Sequence, residues 1–147
     1  MKFLILNGPN LNMLGRRDPS LYGSESLPQL LGRIRQTFPH IEFEDFQSNH
    51  EGCLIDRFQD AWAGPTPADA VVINPGALAH YSHALADALR DCPLPKAEVH
   101  ISDISSREPF RRISVTAPAA DFFISGKGPQ GYFLAIERLA EFLSSRK

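Results

Sequence analysis

The chain has 147 residues, the length of one ordinary domain, able to bury about two-thirds of the surface its unfolded form exposes. With 15 basic and 17 acidic residues spread along it and a net charge of -2, it carries no polybasic stripe, which argues against a nucleic-acid partner. Its longest apolar runs, such as Ala70 to Ile73, are far too short to span a membrane. Met1-Lys2 leads straight into a strand pattern and Cys53 and Cys92 form no C-x-x-C pair, so a cytoplasmic protein with two reduced thiols is expected.

Lys2 to Asn7 reads as a first strand that runs into Asn7, Gly8, Pro9 and Asn10, placing amides at a strand's carboxyl end, where open α/β sheets bind their ligands. The following stretch, Gly8 to Glu25, is too long for a mere connection and reads as a lid or binding loop, with Gly15 and Gly23 as hinges. It holds Arg17 and Tyr22, a permanent cation close to a phenol, the pairing that favours a phenolate near neutral pH. Leu27, Leu30, Leu31, Ile34 and Phe38 then repeat at helical spacing, behind Ser26 as N-cap and with Pro28 in the first turn. Ile41 to Phe46 is a second strand. Leu54, Ile55, Phe58 and Trp62 mark a helix closed by Gly64-Pro65.

The third strand, Ala70 to Asn74, stops at an amide backed by Pro75 and Gly76; Asn74 either donates to a ligand oxygen or simply caps the strand end. Ala84, Leu85, Ala88 and Leu89 give the next helix, ending before Pro93. On the fourth strand, Ala97 to Ile101, Glu98 and His100 share one sheet face. A carboxylate beside an imidazole orients it and stabilises its protonated form, as a general acid requires; the alternative is a packed core histidine. The loop Ser105 to Arg112 is dense in guanidiniums. Arg107 and Arg111 flank a short turn and suit an anion, whereas Arg112 reads equally well as a solvated surface residue. Asp121 to Ser125 is the fifth strand, and Gln130 to Ser144 a last helix with Phe133, Ile136, Leu139, Ala140 and Leu143 as its buried stripe. Strand-helix alternation with near-continuous apolar strands implies an α/β fold of flavodoxin-like type. The expected architecture is a five-stranded parallel sheet with helices on both faces, in a single catalytic domain over residues 1–147.

Other patterns carry less. His80-Tyr81-Ser82-His83 has H-x-x-H spacing, with Asp87 a turn further on, but no third ligand stands at a recognised spacing, so hydrogen bonding is favoured over a metal site. Gly126 to Gly131 matches G-x-G-x-x-G literally, yet the chain ends before the strand and acidic residue that a dinucleotide fold would supply; a structural turn is favoured. The lysines are Lys2, Lys96, Lys127 and Lys147, none in a strand interior beside the polar cluster, which disfavours a Schiff base.

Taken together, I-L-N-G-P-N-L-N-x-L-G-x-R, D-P-x-x-Y-G, Q-S-N-H-E-G, I-N-P-G-A, E-V-H-I-S and G-x-x-G-Y span nearly the whole chain and closely resemble type II 3-dehydroquinate dehydratase. The resemblance implies a lyase of the shikimate pathway that removes water from 3-dehydroquinate by anti elimination through an enolate, with no cofactor or metal. It implies a homododecamer of four trimers. By motif, Tyr22 resembles the base that takes the proton alpha to the ketone, with Arg17 lowering its pKa; an unassisted phenol near pKa 10 is only about 0.1 per cent ionised at pH 7. Asn10 resembles the holder of a water on the enolate oxygen. His100, oriented by Glu98 and assisted by Asn74, resembles the acid for the departing hydroxyl.

The resemblance also implies that the amides of Ile101 and Ser102 hold the substrate carboxylate and that His80 and Arg111 hold ring hydroxyls. Arg107 resembles a lid or active-site arginine, and Asp87 a residue that reaches a neighbouring subunit's site. The segment Leu78 to His83 lacks the family's hydroxyl-rich T-H-T-S, Ala86 stands where an arginine usually precedes the aspartate, Ser105-Ser106 replace a histidine-containing segment, and Cys53 replaces a frequent glutamate. A non-catalytic nucleotide- or flavin-binding module of the same fold is the competing reading, carried by the Gly126 to Gly131 pattern. A bound chromophore would favour it.

Overall fold

A computed structural model of the chain describes residues 1–146. Five parallel strands, β1 (Lys2–Asn7), β2 (Glu42–Gln47), β3 (Ala70–Asn74), β4 (Lys96–His100) and β5 (Phe122–Ser125), form one sheet in the order β2-β1-β3-β4-β5. The helices are α1 (Pro19–Tyr22), α2 (Leu27–Thr37), α3 (Glu51–Ala63), α4 (His83–Asp91) and α5 (Gln130–Ser144). The expected strands and long helices are all present, with ends displaced by a residue or a few. The sheet's alternating side chains divide the core in two. Phe3, Ile5, Val72 and Val99 pack under α2 and α5, while Leu4, Leu6, Val71 and Ile73 pack under α3 and α4. The flavodoxin-like arrangement is thus the one the alternation implied.

Local chemistry sets the boundaries. Ser26 accepts from the Gln29 N–H at 3.3 Å and the Gln29 side chain accepts from the Ser26 N–H at 2.9 Å, a reciprocal cap that starts α2, with Pro28 in its first turn. β2 is an edge strand with the charged sequence EFEDFQ, and Glu44 pairs with Lys2 of the neighbouring strand and with Arg57 of α3. Such an edge is a poor template for another chain.

The strand order reverses between β1 and β3, so chain leaves their carboxyl ends toward opposite faces and opens a crevice there. The two exits interlock. The Gly8 N–H donates to Asn74 O at 2.8 Å, a Cβ on Gly8 would lie 2.3 Å from Pro75 O, and one on Gly76, whose φ is +60°, would lie 2.9 Å from Pro9 O. Between β4 and β5 the chain makes no α-helix. It winds through three 3-10 turns, Ile104–Ser106, Pro109–Arg111 and Ala117–Ala119, and this irregular segment forms one wall of the crevice.

Candidate active site

A pocket of about 530 Å³, its mouth included, sits over the carboxyl ends of β1, β3 and β4. Its size suits a small polar molecule. Asn10, Arg17, Tyr22, Asn74, His80, His100, Ile101, Ser102, Arg107 and Arg111 all line it. Ten of the twelve residues singled out by sequence therefore converge, although they come from five separate stretches of chain. Glu98 lies directly behind His100. Asp87 is exposed on α4, outside this pocket, with its carboxylate 2.6 Å from Arg90 Nη1.

On one wall, α1 carries Tyr22, half-buried against the core under α2. Asp18 caps this single turn by accepting from the Ser20 N–H at 2.9 Å, and Pro19 begins it. Arg17 lies over the Tyr22 ring, its guanidinium carbon 3.7 Å from the ring centroid. The group that reaches the phenol oxygen is Arg107, whose Nη1 donates to it at 2.7 Å and also lies 3.3 Å from Ser102 Oγ. Nearness in the chain pairs the phenol with Arg17. The fold assigns the direct contact to a residue 85 positions away.

On the opposite wall, His100 is buried and its Nε2 is 2.6 Å from Glu98 Oε1. Its ring stacks on His80 with 6.2 Å between centroids and lies 5.7 Å from the exposed edge-strand ring of Phe123. His80 Nδ1 is 2.8 Å from Ile113 O; because a carbonyl can only accept, this nitrogen carries the proton and Nε2 is left for a ligand. His83, the other half of the H-x-x-H pattern, is exposed at the start of α4.

The floor is made of amides. Asn74 Oδ1 accepts from the Gly76 N–H at 3.1 Å and its Nδ2 donates to Tyr132 Oη at 3.0 Å; Tyr132 in turn donates to Asn7 Oδ1 at 2.6 Å. Burial pushes the Tyr132 phenol well above its ordinary pKa, so it remains a neutral donor. Asn10 adopts φ 69°, a left-handed conformation that asparagine tolerates, and its N–H donates to Asn49 Oδ1 at 3.0 Å.

Beyond β4, Ile101 and Ser102 are buried, and their N–H groups donate to no turn, cap or side-chain acceptor among the described residues. Two successive amides of buried residues beside the pocket suit an anion. Their carbonyls are held by the glycine-rich turn: Gly126 N–H donates to the oxygens of His100 and Ser102 at 3.2 Å, and Gly128 N–H to Ile101 O at 3.0 Å. Gly126 (φ +75°) and Gly128 (φ +59°) make that turn possible, so G-x-G-x-x-G here braces the pocket rather than a dinucleotide. Arg111 Nε is 3.0 Å from Glu108 Oε2, without the alignment of a hydrogen bond.

Several supporting residues escaped the sequence reading. Ser114 and Thr116 donate to Glu98, and Gln47, Asn49 and Tyr132 fix the amide loops. Only the Q-S-N and G-Y segments among the motifs offered any hint of them.

Comparison with known proteins gives a consistent picture. A family model described as dehydroquinase class II matches residues 1–140. A 3-dehydroquinate dehydratase of Lachnoclostridium phytofermentans is 50% identical over 141 residues, 95% of this chain and 96% of that protein. One of Thermotoga neapolitana is 51% identical over 139 residues, covering 93% and 92% respectively. The crystal structure of a type II dehydroquinase from Butyrivibrio crossotus superposes with a TM-score of 0.91 at 47% identity, over 95% of this chain and 97% of that one.

Proposed function

The chain belongs to the class II dehydroquinase family, and on that premise we propose that Tyr22 and His100 are the base and acid with which it removes water from 3-dehydroquinate. It is a lyase of the shikimate pathway. The observation that carries the assignment of roles is that one pocket has a phenol held by a guanidinium on one wall and an imidazole held by a buried carboxylate on the other.

The steps follow from that placement. The Tyr22 oxygen, as phenolate, removes the proton alpha to the ketone, and the C–H electron pair moves into the carbonyl to give an enolate. Arg107 and Arg17 balance the negative charge on the phenolate, and a water held by Asn10 donates to the enolate oxygen. When the enolate collapses, its electrons form the conjugated double bond and expel the beta hydroxyl. That hydroxyl takes a proton from His100 and leaves as water, anti to the proton removed. Tyr22 then returns its proton to solvent and His100 recovers one. Asn74 assists the departing hydroxyl. The amides of Ile101 and Ser102 take the substrate carboxylate, and His80 Nε2 and Arg111 the ring hydroxyls. No step calls for a cofactor or metal.

The chain acts as one catalytic domain over 1–147, in the cytoplasm, within a homododecamer of four trimers. Two free cysteines fit a reducing compartment. Assembly is supported by the exposed apolar side chains of Tyr81, Phe110 and Ile113 on segments beside His80, and by Asp87, which is exposed and does not line its own chain's pocket. The test is absorbance of the conjugated enone formed from 3-dehydroquinate, with chelator present. Tyr22→Phe is expected to abolish turnover while circular dichroism stays native. Near-full turnover would remove Tyr22 from the role, and turnover that vanishes with chelator in the native protein would revive a metal-dependent reading.

A further inference from the structure

Glu98 is 0% exposed, and its one charge-bearing partner among the described residues is His100. A carboxylate so buried needs donors for both oxygens. They come from the irregular segment between β4 and β5. Ser114 Oγ donates to Glu98 Oε1 at 2.6 Å and Thr116 Oγ1 to Glu98 Oε2 at 2.7 Å. Thr116 is itself 0% exposed, so this contact is sealed from water.

Counting protons fixes the arrangement. Each hydroxyl has one proton to give. Ser114 Oγ already accepts from the Ala117 N–H at 3.0 Å, and with both hydroxyl protons directed at the carboxylate, the 3.0 Å approach between Ser114 and Thr116 is a contact between acceptors. Glu98, taken as the ionised carboxylate that two donated hydroxyl protons suit, can only accept. The third group on it, His100 Nε2 at 2.6 Å from Oε1, must then be an N–H donor. His100 Nδ1 makes no hydrogen bond to the protein among the described residues, and the ring lines the pocket. Without the hydroxyls, Glu98 could rotate or accept its own proton, and either ring nitrogen of His100 could carry the hydrogen.

We infer that Ser114 and Thr116 are positioning residues, whose hydroxyls clamp Glu98 and through it hold the Nε2 proton of His100, so that the imidazolium gives its Nδ1 proton to the leaving hydroxyl and is left as the single Nε2–H tautomer. The last clause rests on His100 being the general acid; the clamp itself does not. The same segment carries Arg107, so the chain between β4 and β5 holds the proposed acid at one end and the proposed base at the other.

The experiment pairs kinetics with solid-state 15N spectra of the full chain labelled on its five histidines, His100 being assigned by its loss in His100→Gln. Thr116→Val keeps the shape and deletes the hydroxyl. It is expected to lower kcat about 10- to 100-fold, part of the roughly 10²- to 10⁴-fold a general acid supplies, with KM within about twofold and with His100 split between tautomers. Thr116→Ser returns the hydroxyl and is expected to restore both kcat and the single tautomer. A native His100 spectrum in Thr116→Val overturns the clamp, as does Thr116→Ser being as impaired as Thr116→Val, which marks a packing role. Should Thr116→Val not fold, Ser114→Ala gives the same spectral test from the other carboxylate oxygen, and a native spectrum there overturns the clamp equally. Full turnover in His100→Ala would defeat the acid assignment while leaving the spectra free to judge the clamp.

Discussion

At the scale of single residues, the site separates groups that react from groups that hold them. His100→Ala removes the proposed acid but leaves the Ile101 and Ser102 amides in place, so kcat is expected to fall about 10²- to 10⁴-fold while KM moves little. Equal losses in steady-state kinetics and in substrate binding by calorimetry would make His100 a binding residue instead. The two arginines around Tyr22 should differ in weight. Arg107 gives the phenol oxygen a direct 2.7 Å hydrogen bond, whereas Arg17 meets only the ring face. A charge-assisted bond contributes about 1.5–3 kcal/mol and a cation over a ring about 0.5–2 kcal/mol. Arg107→Ala is therefore expected to cost about 10- to 100-fold in kcat and Arg17→Ala less; the reverse order in a side-by-side assay would return the stabilising role to the chain neighbour.

At the scale of elements, the pocket depends on how closely two strand exits approach. Gly8 and Gly76 are required there because backbone from the other exit fills the space where a side chain would begin. Gly8→Ala, with its Cβ 2.3 Å from Pro75 O, is expected to lose about 1–3 kcal/mol of stability and to lower Tm accordingly. Gly52, in the first turn of α3, meets nothing within 4 Å, so Gly52→Ala is expected to leave Tm unchanged or raised, by up to about 1 kcal/mol of stability. A Gly8→Ala melt as high as the native one would show that the exits can separate at no cost. Sequence reading did well with regular elements, since α2 announces itself by Ser26, Pro28 and a run of leucines at helical spacing. At Gly126 to Gly131 the sequence already favours a structural turn, and the bonds from Gly126 and Gly128 to the end of β4 show what that turn braces.

At the scale of the whole molecule, Tyr81, Phe110 and Ile113 are exposed beside the pocket, and the proposed dodecamer is what would cover them. Light scattering is expected to give twelve times the 16.3 kDa chain mass, and Asp87→Ala to weaken assembly and turnover together, by about tenfold or about 1.4 kcal/mol. A monomer with full turnover would sever activity from assembly. What the sequence determined by itself was the alternation of elements, and with it the sheet, the crevice at its carboxyl edge and the residue types delivered to that edge, because strand and helix periodicities and strand-end polar residues are local properties of the chain. What only tertiary structure decided was partnership: Arg107 on Tyr22, Ser114 and Thr116 on Glu98, Tyr132 between Asn7 and Asn74. A hydrogen bond joins residues by distance in space, and residues 85 or 125 positions apart carry no mark of that contact until the sheet and the long β4-β5 segment have folded them together.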